Sequence, residues 1–229
     1  MQSHQPTLAR SRDIAPHAQD LPQAQAVLQA GDAAPDFSLP ASRAGRPLDY
    51  ALKDALRKGA VVVYFYPSAF TSGCNAQAHA FARDIDQFAA AGASVVGVSL
   101  DSIERLHAFS ADPQYCGGRF PVASDAQGRV ARAFGLAVEP APHGKTDTRG
   151  EPNDHDRVPR TTFVIAPHGK TDTRGEPNDH DRVPRTTFVI APHGKVAATI
   201  AGASASAVEH VEQALAWVRR LSADNTNAR

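Results

Sequence analysis

Residues Val61 to Cys74 read VVVYFYPSAFTSGC, an apolar run followed by a polar turn that ends at a cysteine. The apolar run is rich in valine and aromatic residues, which predicts a central strand buried on both faces. The segment after the turn has apolar residues at helical spacing, so Cys74 is expected at the start of a helix. A helix N-terminus carries partial positive charge and unpaired N–H groups, which stabilise a thiolate. The stretch therefore predicts a reactive cysteine, the alternative being a small buried core residue.

The rest of the chain alternates between the patterns of strands and helices. Helices are indicated by apolar stripes at helical spacing and by capping residues, and strands by short runs of β-branched residues. The predicted elements are a helix near 52–58, a strand at 60–66, a helix at 75–91, a strand at 94–100, helices capped by Asp101 or Ser102 and by Asp125, a hairpin of strands 186–190 and 196–200, and a last helix opened by the capping box Ser206-x-x-Glu209. This alternation predicts an α/β fold with a central mixed β-sheet and helices on both faces.

Composition narrows the class of protein. The 229 residues include 42% apolar and 21% charged side chains, which is enough for one core. Because 24 basic residues balance 24 acidic ones, no net charge favours nucleic acid or anionic lipid. The apolar runs are strand-sized, well below the roughly 20 residues of a membrane-spanning helix. We therefore expect neither nucleic acid nor a membrane as a partner.

The first 30 residues are rich in Gln, Ala, His and Pro and lack the apolar core of a secretory signal. This composition predicts a disordered or loosely attached tail over residues 1–30. The expected location is cytoplasmic, with the periplasm as the alternative if the true N-terminus carries a signal.

Residues 141–165 and 166–190 carry the same sequence, APHGKTDTRGEPNDHDRVPRTTFVI. Two identical copies are too few for a stacked repeat array and indicate a recent tandem duplication or an assembly error. We expect one copy in the sheet. The TTFVI of the second copy runs directly into the turn and the next strand, so its pairing closes the shorter loop. Residues 141–165 are therefore predicted to be extruded as a loop, with the reverse arrangement as the alternative.

Histidines in and after the repeats raise the question of a metal site, because the sequence NDHD occurs twice. They stand in segments rich in Pro, Gly and Asp, without paired ligand spacing on a helix or strand. We therefore predict solvated loops and neither a metal nor another cofactor. The histidines concerned are His143, His155, His168, His180 and His193.

The spacing of Pro67, Thr71 and Cys74, Pro-x-x-x-Thr-x-x-Cys, resembles that of the peroxiredoxins, which are thiol peroxidases with a thioredoxin-like fold. The order of the segments GDAAPDFSLP, VVGVSLDS and RTTFVIAPHGKVAATI is similar to that of the bacterioferritin-comigratory, or Q, type. The resemblance covers about residues 31–221, which we expect to form one thioredoxin-like domain, followed by a C-terminal tail at 222–229.

The resemblance implies a role for each residue of the motif. The Cys74 thiolate would attack a peroxide oxygen and become a sulfenic acid. Thr71 would hold the thiolate and the peroxide through its hydroxyl, besides capping the helix, and Pro67 would shield the sulfenic acid from water. An arginine directly before the strand TTFVI would supply a fixed positive charge. That residue is Arg185, or Arg160 if the first copy is used, the alternative for either being a solvated surface charge.

Cys116 is the candidate for resolving the sulfenic acid. The position five residues after Cys74, where the family most often has a nearby resolving cysteine, is His79. Cys116 stands broadly where some Q-type relatives have theirs. Cysteines on different elements rarely lie within the roughly 7 Å between α-carbons that a disulfide allows, so resolution would require local unfolding. Alternatively, Cys116 has no redox role and an external thiol reduces the sulfenic acid.

The leading hypothesis is a thiol-dependent peroxidase for hydrogen peroxide and organic hydroperoxides, a monomer or weak dimer reduced by thioredoxin or another thiol. One alternative is a thioredoxin-like disulfide oxidoreductase, which would require Cys-x-x-Cys where Thr71 occupies the first position. The other is a noncatalytic or impaired protein of the same fold, in which the duplicated insert blocks the site.

Overall fold

The computed structural model of the chain describes residues 27–28, 31–141, 144–153, 155–158, 161–165, 186–190, 196–201 and 206–227. Val27 and Leu28 pack against the core, and the Leu28 N–H donates to the Phe134 carbonyl at 3.4 Å. The chain is therefore attached to the domain before residue 31. The rest of the predicted N-terminal tail lies outside the described residues.

The described part of the chain contains strands and helices that alternate between β2 and β6, with consecutive strands before and after. The strands are β1 (Ser38–Arg43), β2 (Arg46–Ala51), β3 (Ala60–Phe65), β4 (Ala93–Ser99), β5 (Val122–Ser124), β6 (Thr161–Ile165), β7 (Thr186–Ile190) and β8 (Val196–Ala201). The helices are α1 (Leu52–Leu56), α2 (Ser72–Ala90), α3 (Ile103–Ala111), α4 (Arg129–Ala133) and α5 (Ala207–Asn227). Among the described residues, no helix combines the length and apolar character needed to cross a bilayer.

One mixed sheet holds the described strands in the order β2-β1-β5-β4-β3-β6-β7-β8. Strand β3 runs parallel to β4 and antiparallel to β6, and all of its side chains are buried. Successive residues of β3 enter different cores: Tyr64 packs with α2, α3 and α5, and Val63 with α1 and α4. The predicted mixed sheet with helices on both faces is confirmed.

Both copies of the repeated TTFVI segment form strands, which corrects the prediction that residues 141–165 are extruded as a loop. Strand β6, from the first copy, pairs with β3, and β7, from the second copy, pairs with β6 in parallel. The shorter loop would decide between the two copies only if the sheet had room for one of them. A sheet can instead add a strand at its edge, and identical segments have the same propensity to do so. The predicted hairpin of β7 and β8 is confirmed.

Helix α5 corrects the predicted C-terminal tail, because it continues through Asn227. The residues after Leu221 include neither glycine nor proline, so the sequence holds no strong helix breaker there. The predicted capping box at the start of α5 is confirmed. The Glu209 N–H donates to Ser206 Oγ at 3.2 Å, and the Ser206 N–H donates to the Glu209 carboxylate.

Gly97 on β4 leaves room for the ring of Tyr64 on the neighbouring strand. A Cβ at Gly97 would lie 2.8 Å from Tyr64 Cζ, and Tyr64 stacks on Phe81 of α2 with ring centroids 4.6 Å apart. Since the ring cannot move without displacing α2, we expect Gly97→Ala to lower the free energy of unfolding by about 1–3 kcal/mol. Urea denaturation measures this change. Ser94→Ala, at an exposed position of the same strand, is the matched control. Equal midpoints for the two variants would contradict the prediction.

Candidate active site

Cys74 lies in the first turn of α2, after the turn that follows β3. The helix begins at Ser72, three residues before its predicted start at Asn75, so Cys74 is inside the helix rather than just ahead of it. N–H groups in the first turn have no acceptor within the helix, and they point toward the helix mouth. The Cys74 side chain is only 1% exposed. The thiol is therefore buried beneath the turn that precedes it.

Thr71 occupies the N-cap position of α2, with extended backbone at φ −103° and ψ 144°. Its side chain does not cap the helix, contrary to the expected dual role. The hydroxyl instead donates to the Ser68 carbonyl at 2.9 Å, which closes the turn and leaves the Thr71 oxygen able to accept a hydrogen bond. Pro67 begins this turn and is half-buried. The structure thus brings Pro67, Thr71 and Cys74 together on one turn.

Phe70 gives this turn its shape, because its φ of 62° lies in the left-handed region. Such a conformation costs a non-glycine residue roughly 1 kcal/mol or more, and it persists only where the surroundings enforce it. The ring packs edge-on against Phe109 and Tyr115, with centroids 5.2 and 5.3 Å away. The Arg149 guanidinium lies over the ring, 3.3 Å from its centroid. These contacts fix the residue that precedes the N-cap.

Asp101 is a buried carboxylate that binds the backbone of the turn from the end of β4. Its Oδ2 accepts from the Ala69 N–H at 2.8 Å and from the Ser99 hydroxyl at 2.7 Å. Its Oδ1 lies 2.7 Å from His155 Nε2. Burial alone would raise the pKa of Asp101, but the hydrogen bond and charge of His155, helped by Ser99 and the Ala69 N–H, hold it below its ordinary value. An ionised carboxylate is therefore fixed against the turn.

Arg105 on α3 binds the same turn through its guanidinium. Its Nη2 donates to the Ala69 carbonyl at 3.1 Å and to Asp147 Oδ2 at 2.6 Å. Its Nε lies 3.0 Å from Asp101 Oδ1. Asp147 also pairs with the Arg149 guanidinium at 2.9 Å. Opposite charges therefore alternate through this network, so each buried charge has a partner.

His155, in the first repeat copy, is held by a buried carboxylate rather than solvated, which corrects the loop prediction for this histidine. Besides Asp101, its Nε2 lies 3.1 Å from Ser68 Oγ, and its Nδ1 lies 2.7 Å from the Asp156 carbonyl oxygen. Burial alone would lower the pKa of His155, but the hydrogen bond and charge of Asp101 outweigh burial and raise it above the ordinary value. Within the described residues, no group of three His, Cys, Asp or Glu side chains is placed to hold a metal.

Cys116 lies in the turns after α3 and is fully buried. Both cysteines carry thiols rather than a mutual disulfide, and both belong to the same hydrophobic cluster. Burial, and secondarily the charge of Asp112, raises the pKa of the Cys116 thiol well above its ordinary value. Because the thiolate is the attacking species in disulfide formation, Cys116 cannot react readily from this position.

The two candidate arginines, Arg160 and Arg185, lie outside the described residues. The strands that follow them are nevertheless placed differently. Thr161 pairs with Phe65, the last residue of β3 before the nucleophile turn. Thr186 pairs with Thr161 and so lies one strand further from β3. The strand beside the nucleophile turn thus comes from the first copy.

Sequence reasoning missed the part of the site formed by Asp101, Arg105 and the first repeat copy. Its sequence position predicts for Asp101 only the role of a helix cap shared with Ser102, and Ser102 performs that role by accepting from the Arg105 N–H at 3.3 Å. A usable signal was present, because Asp101 follows a buried strand parallel to β3, and the carboxyl ends of parallel strands meet at one edge. No sequence signal could show that the first copy contacts the site, because the second copy has the same sequence.

Comparison with known proteins adds independent findings. The profile of the AhpC/TSA family matches residues 30–174. Peroxiredoxin Bcp of Escherichia coli K12 is 35% identical over 138 residues, which are 60% of this chain and 79% of that protein.

Two solved structures resemble the fold. Peroxidoxin BcpB of Mycobacterium tuberculosis superposes with a TM-score of 0.60 at 30% identity, over 85% of this chain and 98% of that chain. The bacterioferritin comigratory protein of Xanthomonas campestris, described as having alkyl peroxide reduction activity, superposes with a TM-score of 0.53 at 25% identity, over 80% and 92% of the two chains. These similarities confirm the predicted thioredoxin-like fold.

Proposed function

Since the chain belongs to the AhpC/TSA family, as a thiol peroxidase of the Bcp type, we propose that Cys74 is the nucleophile that attacks the peroxide. The observation that carries this assignment is the placement of Cys74 in the first turn of α2, on one turn with Pro67 and Thr71. The helix N-terminus stabilises the thiolate there through its partial positive charge and its unpaired N–H groups.

The proposed reaction is a two-electron oxidation of the thiolate. The Cys74 sulfur attacks the terminal peroxide oxygen, so an S–O bond forms while the O–O bond breaks. The leaving oxygen takes up a proton and departs as water or an alcohol, and Cys74 becomes a sulfenic acid. The Thr71 hydroxyl orients the peroxide, and Pro67 limits the access of water to the oxidised sulfur.

The fixed positive charge of this reaction comes from Arg160, in our proposal, rather than from Arg185. The support is the strand register, because Thr161 pairs with β3 and Thr186 lies one strand further away. An arginine suits the role because it remains charged and can donate paired hydrogen bonds to the sulfur and the peroxide.

Reduction of the sulfenic acid completes the cycle, and thiols supply the electrons in this family. We propose that Cys116 takes part only after the turn has opened. Its thiolate would then attack the Cys74 sulfur, so that an S–S bond forms while the S–O bond breaks and the leaving hydroxide takes up a proton to become water. A dithiol such as thioredoxin would reduce that disulfide. The burial of Cys116 supports the requirement for opening, and direct reduction by an external thiol is the alternative.

The proposed substrates are hydrogen peroxide and organic hydroperoxides. The alkyl peroxide reduction described for the Xanthomonas campestris relative supports the second group. A disulfide oxidoreductase finds less support, because Thr71 stands where such an enzyme would have its first cysteine.

The intact mass of the reduced protein, before and after one equivalent of hydrogen peroxide without reductant, tests this function. We expect the wild type to lose two hydrogens, and Cys116→Ser to gain one oxygen on Cys74 instead. A gain of one oxygen in the wild type as well would assign reduction to an external thiol. An unchanged mass in both proteins would contradict peroxidase activity and favour a site impaired by the duplicated insert.

A further inference from the structure

The first repeat copy lies against the turn that carries Cys74. We call residues 144–153 and 155–158 the first-copy segment. Thr148 of this segment donates twice to the Phe70 carbonyl, from its N–H at 2.8 Å and from its hydroxyl at 2.7 Å. The Thr148 hydroxyl also accepts from Asn75 Nδ2 at 3.4 Å, in the first turn of α2. The segment thus contacts the chain on both sides of Cys74.

Two further backbone groups of the turn are held by side chains outside the segment. The Ala69 N–H is bound by Asp101 at 2.8 Å, and the Ala69 carbonyl by Arg105 at 3.1 Å. Asp101 and Arg105 also lie 3.0 Å from each other. Together they fix both polar groups of Ala69, the residue before the left-handed Phe70.

Asp101 and Arg105 each depend on a partner from the first-copy segment. His155 Nε2 lies 2.7 Å from Asp101 Oδ1, and Asp147 Oδ2 accepts from Arg105 at 2.6 Å. The Asp101 and Asp147 side chains are fully buried, and that of Arg105 is 14% exposed. Removing one member of such a buried network leaves an uncompensated charge, so the remaining groups rearrange.

We propose that Asp101 and Arg105 are positioning residues for Cys74, and that the first-copy segment holds them in place through His155 and Asp147. This inference rests on the proposed role of Cys74 in peroxide reduction. Loosening the network frees Ala69 and Phe70, so the start of α2 opens. Two reactions of Cys74 then change in opposite directions: oxidation by peroxide slows because the reacting groups lose their alignment, and alkylation quickens because the buried thiol becomes accessible.

The repeat supplies matched controls within the same chain. Asp172 and His180 of the second copy stand in the same sequence context as Asp147 and His155. We expect Asp147→Asn and His155→Gln each to slow the oxidation of Cys74 by hydrogen peroxide by about tenfold and to speed its alkylation by iodoacetamide by about tenfold. Asp172→Asn and His180→Gln should stay within about twofold of the wild type for both rates. Equal effects in the two copies would overturn the proposal.

The urea dependence of Cys74 alkylation separates local opening of the turn from general unfolding. Opening of the turn exposes little surface, so the alkylation rates of Asp147→Asn and His155→Gln should depend only weakly on the urea concentration. A dependence as steep as that of global unfolding would mean that the substitutions destabilise the whole domain, and would overturn a positioning role. If the wild type failed to react with peroxide, the proposed function would fall, while the alkylation rates would still decide this inference.

The pH dependence of the Cys74 oxidation rate shows what the positive charge of His155 adds to its hydrogen bond with Asp101. The charged groups that face His155 are Asp101 and Arg105, and its other neighbours, Ser68 and the Asp156 carbonyl, are neutral. Glutamine keeps a hydrogen bond to Asp101 but carries no charge. The ratio of the oxidation rates, wild type over His155→Gln, should therefore be high below about pH 6 and fall as the pH rises through the raised pKa of His155. A ratio near one at every pH would overturn the proposal.

Discussion

Cys74→Ser is expected to abolish peroxide consumption, with a loss of roughly 10⁴-fold or more. A serine hydroxyl at the same place has no accessible anion at neutral pH, so neither the helix N-terminus nor an arginine can make it a nucleophile for the O–O bond. The substitution is nearly isosteric in a site that is only 1% exposed, so the fold should persist. Consumption of hydrogen peroxide in the presence of a dithiol reductant measures the effect.

Cys116→Ser is the control for this experiment, because it removes the other cysteine of the chain. It should retain the rapid first oxidation of Cys74, which needs no second thiol. Substantial peroxide consumption by Cys74→Ser would contradict the assignment of Cys74 as the nucleophile. If the double variant Cys74→Ser/Cys116→Ser then consumed no peroxide, Cys116 would be the nucleophile instead.

Arg160→Gln is expected to slow the oxidation of Cys74 by about a hundredfold or more, the usual cost of removing one electrostatic donor to a reacting group. Arg185→Gln should leave the rate within about twofold. The reason is the order of the strands, since β6 lies between β3 and β7. The second-order rate constant for hydrogen peroxide, from competition with a second peroxidase, provides the measurement.

A large loss of rate in Arg185→Gln, with little change in Arg160→Gln, would show that the second copy supplies the arginine of the site in solution. It would also contradict the register of β3 with β6. Arg160→Lys serves as a further comparison, because lysine keeps the charge but loses the paired donors. A partial loss is expected for this variant.

Local sequence patterns predicted the central strand and helix of the fold. They could not predict which distant segments pair with that strand. The apolar run ending at Phe65 is typical of a buried strand, and the residues after the turn have the apolar spacing of a helix, so β3, α2 and the place of Cys74 could be predicted from local patterns. The place of β6 did not follow, because Thr161–Ile165 and Thr186–Ile190 have identical sequences. Local propensity cannot separate identical segments, and loop entropy predicted the hairpin of β7 and β8 without showing that β6 also enters the sheet.

The candidate site shows the same limit. The placement of Pro67, Thr71 and Cys74 on one turn could be predicted because the three residues are close in sequence. Asp101 and His155 meet only through the fold, 54 residues apart. The pairing of a buried carboxylate with a histidine depends on which chain segments become neighbours, and composition does not carry that information.

The pairing of β6 with β7 has a consequence for self-association. Identical segments lie side by side, parallel and in register, with Thr161 opposite Thr186 and Phe163 opposite Phe188. Separate chains stack in the same manner in cross-β fibrils, where each strand templates the next one without limit. Here the parallel pairing ends after two strands, because β8 pairs antiparallel with the outer edge of β7. A chain truncated before Val196 would expose that edge and could recruit the same segment from another molecule.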